Sequence, residues 1–270
     1  MSHLLSVYNL NLAVSHAIQK SAQKITNIDM KSLIQSVKDL SLKAKHSPCH
    51  RSFLDGTITD PSCQHMVQRM NAMTPESMGI ECGGDCPYHF KGNLNRVTID
   101  GLDSEDYRLV LFFIKKGTRM PLHDHPNMSV FFRLVFGSLN YRAYDKIDEK
   151  YKYNDFADAE YYEILDSKTR IKAKKSRQMN LRTDDLLFVR PSTNNMHEFV
   201  AEENSCFFDI CLPNYTPQSH LRRITYFKEV CDDPVQVMKG GLTELEYYTT
   251  PPVMPTGMEL TELDYRGELQ

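Results

Sequence analysis

The stretch "RMPLHDHPNMSVFFRLVFG", residues 119–137, places two histidines one residue apart, with a proline on each side and a strongly apolar run after them. Residues i and i+2 of a β-strand point to the same face, so we expect His123 and His125 to project together while Asp124 points away. Two imidazoles on one face can each offer a nitrogen to one metal ion. A pair of surface or hydrogen-bonded histidines at a strand end is the alternative interpretation of this pattern taken alone.

The sequence around this stretch has the pattern of short strands separated by turns. Runs rich in Val, Ile, Phe and Tyr predict strands at 107–117, 129–137, 139–147, 185–191, 197–203 and 205–213. Many short strands without helices between them indicate a sandwich or small barrel. The polar and aromatic segment 148–168 interrupts the series and is predicted to be a long insertion.

The N-terminal part of the chain differs in character from this β-rich region. Residues 26–45 put apolar side chains on one helical face, with Asp29 as a plausible N-cap, which predicts an amphipathic helix. Residues 46–96 are rich in Pro, Gly, Ser, Met and Cys, which is typical of an irregular linker or wrapping arm. We therefore divide the chain into a helical and irregular extension, 1–96, packing on a β-domain with a C-terminal tail, 97–270.

The composition of the whole chain narrows its class and compartment. A net charge of −3 on 270 residues gives no field that would favour nucleic acid or an anionic membrane. No apolar run is long enough to span a bilayer, and we expect a soluble monomer. Seven cysteines without a secretory signal favour reduced thiols and residence in the cytoplasm, with the nucleus as the alternative. The opening 25 residues lack acidic groups, as organellar presequences do, but they contain no arginine, which disfavours a mitochondrial location.

The spacing of glycines around the histidine pair resembles the first motif of the cupin superfamily. In that motif a glycine turn, a His-x-His pair, a glutamate and a final glycine follow in order, and here Gly117, His123, His125 and Gly137 occupy the matching positions. Val130 stands where most metal cupins carry the glutamate. The resemblance implies an all-β, double-stranded β-helix (jelly-roll) barrel whose site lacks a carboxylate ligand.

A third histidine is a candidate ligand in a later strand. His197 stands at a predicted strand start, six residues after Pro191, much as in the second cupin motif. Together with His123 and His125 it would provide three neutral nitrogen donors and leave open positions on the metal. The alternative is a strand-edge histidine hydrogen-bonded to the preceding turn.

Five segments together resemble the cysteamine dioxygenase and plant cysteine oxidase family of thiol dioxygenases. They cover roughly residues 100–230 in the family's order: "PLHDHPNM" (121–128), "FRLVFGSL" (132–139), "YDKID" (144–148), "RPSTNNMHEF" (190–199) and "CFFDICLPNY" (206–215). The resemblance implies mononuclear iron(II) held by His123, His125 and His197. It also implies that O2 converts a 2-aminoethanethiol-type thiol to the sulfinic acid, as in cysteamine or the N-terminal cysteine of a peptide.

The same resemblance assigns two further site residues. Asp209 lies in an apolar strand, and its family counterpart in the pocket would hydrogen-bond a substrate amine or an ordered water; a carboxylate bonded to a turn or an arginine is the alternative. Tyr215 matches a pocket tyrosine whose hydroxyl could donate to bound dioxygen or sulfur, or it is an ordinary loop anchor. Some relatives cross-link a cysteine to a tyrosine, but Ile224 stands at the cysteine position, so Tyr226 should stay unmodified.

Several alternatives remain open at this point. A zinc site is one interpretation of the loop residues Cys63, His65, Cys82, Cys86 and His89; unliganded loop cysteines and a reversible disulfide between Cys82 and Cys86 are the others. The basic residues of 168–177 form either a patch for an acidic partner or the solvated face of an edge strand. No arginine clamp for a free carboxylate is evident, which disfavours free cysteine as substrate. An oxygen-sensing role would follow if peptides are the substrate, and a non-catalytic, ligand-binding cupin with a regulatory role is the competing hypothesis.

Overall fold

The computed structural model describes residues 29–81, 83–230 and 241–267, and its core is a pair of β-sheets. The strands are β1 (Leu94–Asp100), β2 (Arg108–Ile114), β3 (Arg119–Asp124), β4 (Ser129–Phe136), β5 (Ser138–Lys146), β6 (Arg170–Arg182), β7 (Leu186–Val189), β8 (Met196–Ala201), β9 (Ser205–Leu212), β10 (Tyr226–Val230), β11 (Leu242–Thr249) and β12 (Leu260–Leu263). The helices are α1 (Met30–His46), α2 (His50–Gly56), α3 (Pro61–Ala72), α4 (Glu149–Lys152) and α5 (Asp158–Asp166), with 3-10 turns at Thr57–Thr59, Glu76–Met78 and His220–Arg222. The organellar presequence considered above falls on residues outside the described part of the chain.

The two sheets face each other and enclose an apolar core. The first sheet has the strand order β12-β1-β2-β9-β4-β7, and the second closes on itself as β10-β11-β6-β5-β8-β3. Ile114, Phe132 and Phe207 from the first sheet pack against Tyr141 and Phe199 from the second. The predicted all-β jelly-roll barrel is confirmed, and the six predicted strands lie within one to three residues of β2, β4, β5, β7, β8 and β9.

The two glycines of the predicted motif are required by the backbone. Gly117 and Gly137 both have positive φ, +80° and +93°, a region that side chains disfavour. A Cβ at Gly137 would also collide with the Ser205 side chain and the Asn204 carbonyl. The two glycines therefore mark tight turns, one that connects β2 to β3 and one that connects β4 to β5.

The N-terminal segment forms a helical layer on the outer face of the first sheet. Helix α1 is capped by Asp29, whose side chain accepts from the Ser32 amide, and it buries Leu33, Ile34, Val37 and Leu40 as predicted. The expectation that residues 46–96 are irregular is wrong for α2 and α3. Asp60 caps α3, Pro61 takes its first position, and Cys63, Met66, Val67 and Met70 form its buried face. These side chains share one core cluster with Leu109, Phe131 and Phe208 of the sheet.

The insertion 148–168 contains α4 and α5 and packs against the second sheet. Phe156, Tyr161 and Ile164 join Leu122 and Tyr247 in a separate apolar cluster. β6 follows it, and Arg170 lies within 4 Å of Glu244 and Glu246 on neighbouring β11. Arg170, Lys172 and Lys174 are exposed, which favours a solvated face for the basic run, but the prediction of an edge strand is wrong because β6 pairs with β5 on one side and β11 on the other. Across the described residues, no helix is both long and apolar enough to cross a membrane.

Candidate active site

The three histidines predicted from the sequence converge at one end of the barrel. His123 lies near the end of β3, His125 follows that strand, and His197 lies near the start of β8. The antiparallel register of β3 and β8 sets His123 directly opposite His197. A register irregularity between Met120 and His123 adjusts β3 just before the pair. Residues that are 74 positions apart in sequence are thus neighbours because two strands pair.

The ring nitrogens of these histidines are close enough to share one ion. The candidate ligand atoms of His123, His125 and His197 all lie within 4.8 Å of one another, and the His125 and His197 Nε2 atoms are 3.2 Å apart. Within the described part of the chain this is the one group of three or more His, Cys, Asp or Glu residues with that geometry. The three residues could therefore hold a metal ion.

Hydrogen bonds at the rear of two rings determine which nitrogen faces the centre. The His123 Nδ1 lies 2.8 Å from the Pro121 carbonyl oxygen, which can only accept, so Nδ1 carries the proton. The Tyr215 hydroxyl donates to the Asp124 carbonyl at 2.8 Å and is left to accept from the His125 Nδ1 at 2.6 Å. In both rings Nε2 then keeps its lone pair, which is the form that binds metals.

Burial keeps all three imidazoles neutral. Loss of solvent lowers the pKa of His123, and it lowers the pKa values of His125 and His197 well below the ordinary value. The neighbouring histidines lower the pKa values of His125 and His197 further, because two positive rings would repel each other. Neutral imidazoles at close range are a suitable donor set for a divalent cation.

Asp124, between the two paired histidines, points away from them as predicted. Its carboxylate accepts from the Lys146 Nζ at 2.6 Å and from the Thr225 amide at 2.8 Å, and both charged side chains are 1% exposed. On the other side of His125, the Asn195 side chain donates to the His125 carbonyl at 2.7 Å. These contacts fix the backbone that carries the histidines.

A cavity of about 370 Å³ opens next to the histidines, and His123, His125, Asp209 and Tyr215 all line it. The Asp209 side chain is buried, its Oδ1 has no partner among the described residues, and loss of solvent raises its pKa well above the ordinary value. Val130, at the position where metal cupins place glutamate, is buried and packs with Cys211 and Val189. The site thus combines three imidazoles with one unpartnered carboxyl group.

The rest of the cavity wall includes residues that sequence reasoning missed. Arg96 and Arg108 line it, so the cavity does contain guanidinium groups, and the absence of an arginine no longer disfavours free cysteine as a substrate. Arg108 lies in a predicted strand, whereas Arg96 belongs to β1 and was predicted to lie in the irregular segment 46–96; the pairing of β1, β2 and β9 brings both to the cavity. Ile224 and Tyr226 also line it, next to His123. The wall residues include none from the insertion 148–168.

The alternative zinc set is not assembled by the described residues. Cys63 is buried in the helical core, whereas His65 is exposed on the same helix. Cys82 lies outside the described residues, and Cys86 is disulfide-bonded. Cys49, Cys63, Cys206 and Cys211 are free thiols, so the expectation of reduced cysteines holds for these four and is wrong for Cys86.

Comparison with known proteins places this site in a family. A family model described as PCO_ADO matches residues 70–269. The chain belongs to the PCO_ADO family. The resemblance predicted from the five sequence segments is thereby confirmed, and the match extends beyond them at both ends.

Curated relatives of this PCO_ADO chain carry the names of oxidases and dioxygenases. Plant cysteine oxidase 2 of Arabidopsis thaliana is 24% identical over 83% of this chain and 77% of that protein. The 2-aminoethanethiol dioxygenase of Mus musculus is 25% identical over 53% of this chain, and the probable 2-aminoethanethiol dioxygenase of Dictyostelium discoideum is 26% identical over 54%. The matches cover 59% of each of these two proteins. The predicted class, thiol dioxygenase enzymes, is confirmed at the level of the family.

Solved structures with a similar fold include cupins. KdgF from Halomonas sp. aligns with 47% of this chain and 84% of its own at 14% identity and a TM-score of 0.31. A RmlC-like cupin protein from Desulfovibrio desulfuricans aligns with 48% of this chain and 91% of its own at 12% identity and a TM-score of 0.31.

Proposed function

We propose that this protein is an iron(II)-dependent thiol dioxygenase in which His123, His125 and His197 hold the metal. The convergence of three neutral imidazoles, without a protein carboxylate among them, is the observation that carries the proposal. The bonds at Pro121 and Tyr215 support it, because they direct the lone pairs of two rings toward the centre. Bound iron would supply open positions at which a thiol and O2 meet and would mediate electron transfer from the sulfur, which is oxidised, to O2, which is reduced.

The proposed reaction converts R–SH and O2 to R–SO2H, with both oxygen atoms passing to sulfur. The substrate is a 2-aminoethanethiol-type thiol, either cysteamine or the N-terminal cysteine of a peptide, as the names of the relatives indicate for those proteins. If peptides are the substrate, sulfinylation adds a negative charge to a chain terminus. The protein would then report oxygen to whatever machinery recognises that terminus.

The chain's own residues have distinct parts in this proposal. Asp209 is the partner of the substrate amine, since a buried carboxyl group without a partner gains most from a cationic or hydrogen-bonding group placed beside it. Tyr215 is a positioning residue, because its hydroxyl contacts His125 and the Asp124 carbonyl. Its predicted donation to dioxygen or sulfur would require breaking one of these bonds. Val110 and Phe112 give the cavity an apolar wall that would exclude water around the reacting sulfur, and Val130 packs beside the wall residue Cys211.

The decisive experiment loads the purified protein with iron(II) under argon and then supplies oxygen with cysteamine or a Cys-initiated peptide. We expect oxygen consumption and a mass gain of two oxygen atoms on the thiol substrate. His197→Ala should lose both bound iron, measured by elemental analysis, and turnover, whereas exposed His65→Ala should keep both. Iron uptake by the wild type without oxygen consumption on either substrate would instead support the non-catalytic, ligand-binding cupin.

A further inference from the structure

Arg108 occupies a distinctive place in the cavity wall. It is the first residue of β2, and its register partner on β9 is Cys211, while Asp209 pairs with Val110 two residues further along β2. Side chains at i and i+2 share one face, so Arg108, Val110, Asp209 and Cys211 face the same interior. All four line the cavity that also contains His123 and His125.

The guanidinium of Arg108 forms no direct ion pair among the described residues, and the Glu262 carboxylate that Arg96 contacts attracts it from farther away. Its Nη2 donates to the Thr98 hydroxyl at 2.6 Å, and its Nε is buried with no hydrogen-bond partner. The neighbouring Arg96 is different, because both of its donating groups contact the Glu262 carboxylate. A half-buried arginine stays charged and has more N–H donors than Thr98 can satisfy, so it can donate to an oxygen atom of a ligand.

Beside the histidines, Asp209 and Arg108 give the wall of the cavity two polar groups of opposite character on adjacent strands. Asp209 provides a carboxyl group and Arg108 provides N–H donors. The two residues are offset by two positions in the strand register, which is roughly 7 Å along the strands. A thiol substrate that carries both an amine and an acyl oxygen matches this arrangement. Cysteamine has the amine but has no acyl oxygen to offer Arg108.

We propose that Arg108 is a specificity-determining residue that binds the acyl oxygen of a cysteinyl substrate, whether that oxygen belongs to a free carboxylate or to a peptide carbonyl. This inference rests on the proposed function, since it assumes that the thiol reaches the three histidines. The residue selects cysteinyl substrates over cysteamine by a hydrogen bond that only the former can make. A free carboxylate also gains from the positive charge, whereas a peptide carbonyl gains from the hydrogen bond alone.

The kinetic test compares Arg108→Gln and Arg108→Lys with the wild type on L-cysteine, L-cysteinamide and cysteamine. We expect the ratio of kcat/KM for cysteinyl substrates to kcat/KM for cysteamine to fall about 10- to 100-fold in Arg108→Gln, mainly through KM. A fall for L-cysteine alone identifies the carboxylate as the ligand, and a similar fall for L-cysteinamide identifies the carbonyl. Arg108→Lys should recover part of the L-cysteine activity. Arg182→Gln, at an exposed arginine on β6, is the matched control.

A second readout separates this inference from the proposed function. Under argon no turnover occurs, so the Kd of each thiol for the iron-loaded protein can be titrated directly. The Kd of the cysteinyl ligands should rise in Arg108→Gln relative to that of cysteamine by a similar factor. An equal change for all three ligands, or no change, overturns the role given to Arg108. If the wild type binds the thiols but consumes no oxygen, the dioxygenase proposal fails while the Kd comparison still decides the role of Arg108.

Discussion

At the scale of single residues, the proton positions around His125 decide what the ring can do. Its Nδ1 can donate only because the Tyr215 hydroxyl, which already donates to the Asp124 carbonyl, has a lone pair available there. A ring held in the other tautomer would present an N–H to the centre and could not act as a ligand. The hydroxyl would therefore control iron binding at the proposed site through the His125 ring.

Replacing Tyr215 by Phe tests this control. Removing the hydroxyl leaves the His125 Nδ1 without its acceptor, and we expect the affinity for iron(II) to fall about 10- to 100-fold. Anaerobic metal titration measures the change, with Tyr162→Phe, at a tyrosine that is 45% exposed, as the control. An unchanged affinity would show that the ring is held by packing alone.

Asp209 gives a prediction about pH. Burial raises the pKa of its carboxyl group, so the folded chain holds this proton at pH values where the unfolded chain, with a pKa of about 3.9, has lost it. The unfolded state then binds fewer protons, and the free energy of unfolding falls as pH rises from about 4 toward the folded pKa, by up to about 1.4 kcal/mol per pH unit.

Asp209→Asn removes this titration. The free energy of unfolding, measured with urea on the metal-free protein, should increase for Asp209→Asn relative to the wild type as pH rises from 5 to 8. Asp103→Asn, at an exposed aspartate, should follow the wild type. Parallel curves for Asp209→Asn and the wild type would mean that Asp209 has a partner that keeps it charged in the folded protein.

At the scale of elements, one arginine connects the helical layer to the barrel. Arg133 on β4 donates from Nη1 to the Met70 carbonyl at 2.7 Å and the Met73 carbonyl at 2.6 Å, where α3 ends. The last carbonyls of a helix have no partners inside the helix and carry its negative dipole end, so a buried guanidinium stabilises them. The exposed Asp184 carboxylate pairs with the Arg133 guanidinium and balances its positive charge.

Arg133→Leu should therefore destabilise the protein and loosen α3 first. Leaving two buried carbonyls without donors costs about 1–3 kcal/mol each, and urea unfolding measures the total. Limited proteolysis should cut within residues 61–72 before it cuts the strands. Arg182→Leu is the control, and an equal loss of stability in both variants would refute the special role of Arg133.

The same elements show where sequence patterns succeed. Strands β2, β4 and β9 follow from runs of apolar and aromatic residues because both of their faces are covered, by helices on one side and the second sheet on the other. Helix α3 escaped prediction because its buried face uses Cys and Met, which resemble a loop composition when read without the Asp60 cap. Edge strand β12 has only four residues and takes its place by pairing with β1, 166 positions away in sequence for Leu94 and Leu260.

At the scale of the whole molecule, the site is a product of strand register. The local His-x-His pair and the motif spacing of His197 were readable, since one depends on strand geometry and the other on a family pattern. Lys146, Asn195 and Arg108 were not, because their relation to the site depends on which distant strands become neighbours. A short motif carries no information about such pairings.

Metal binding should be linked to the stability of the whole fold. Because the ligands come from β3 and β8, which separate when the chain unfolds, an ion that binds the folded state alone stabilises it by about 2.7 kcal/mol at 100 times its Kd. Anaerobic thermal unfolding with iron(II) should show this increase, and a chelator should reverse it. The His197→Ala protein should show little response; a full response would remove His197 from the ligand set.

The depth of the three histidines has a consequence for what can approach them. They are 5%, 3% and 3% exposed, and His123 and His125 line a cavity whose wall combines strand residues with segments between strands. A cysteine within a helix or strand of a folded protein has chain on both sides and a bulky surface around it, so its thiol cannot reach histidines that are this deeply buried. A chain terminus, or a small molecule of similar width, can enter the cavity with its thiol leading. If the proposed function holds, the burial of the histidines would favour thiols on small molecules or at a chain terminus over cysteines within a folded chain.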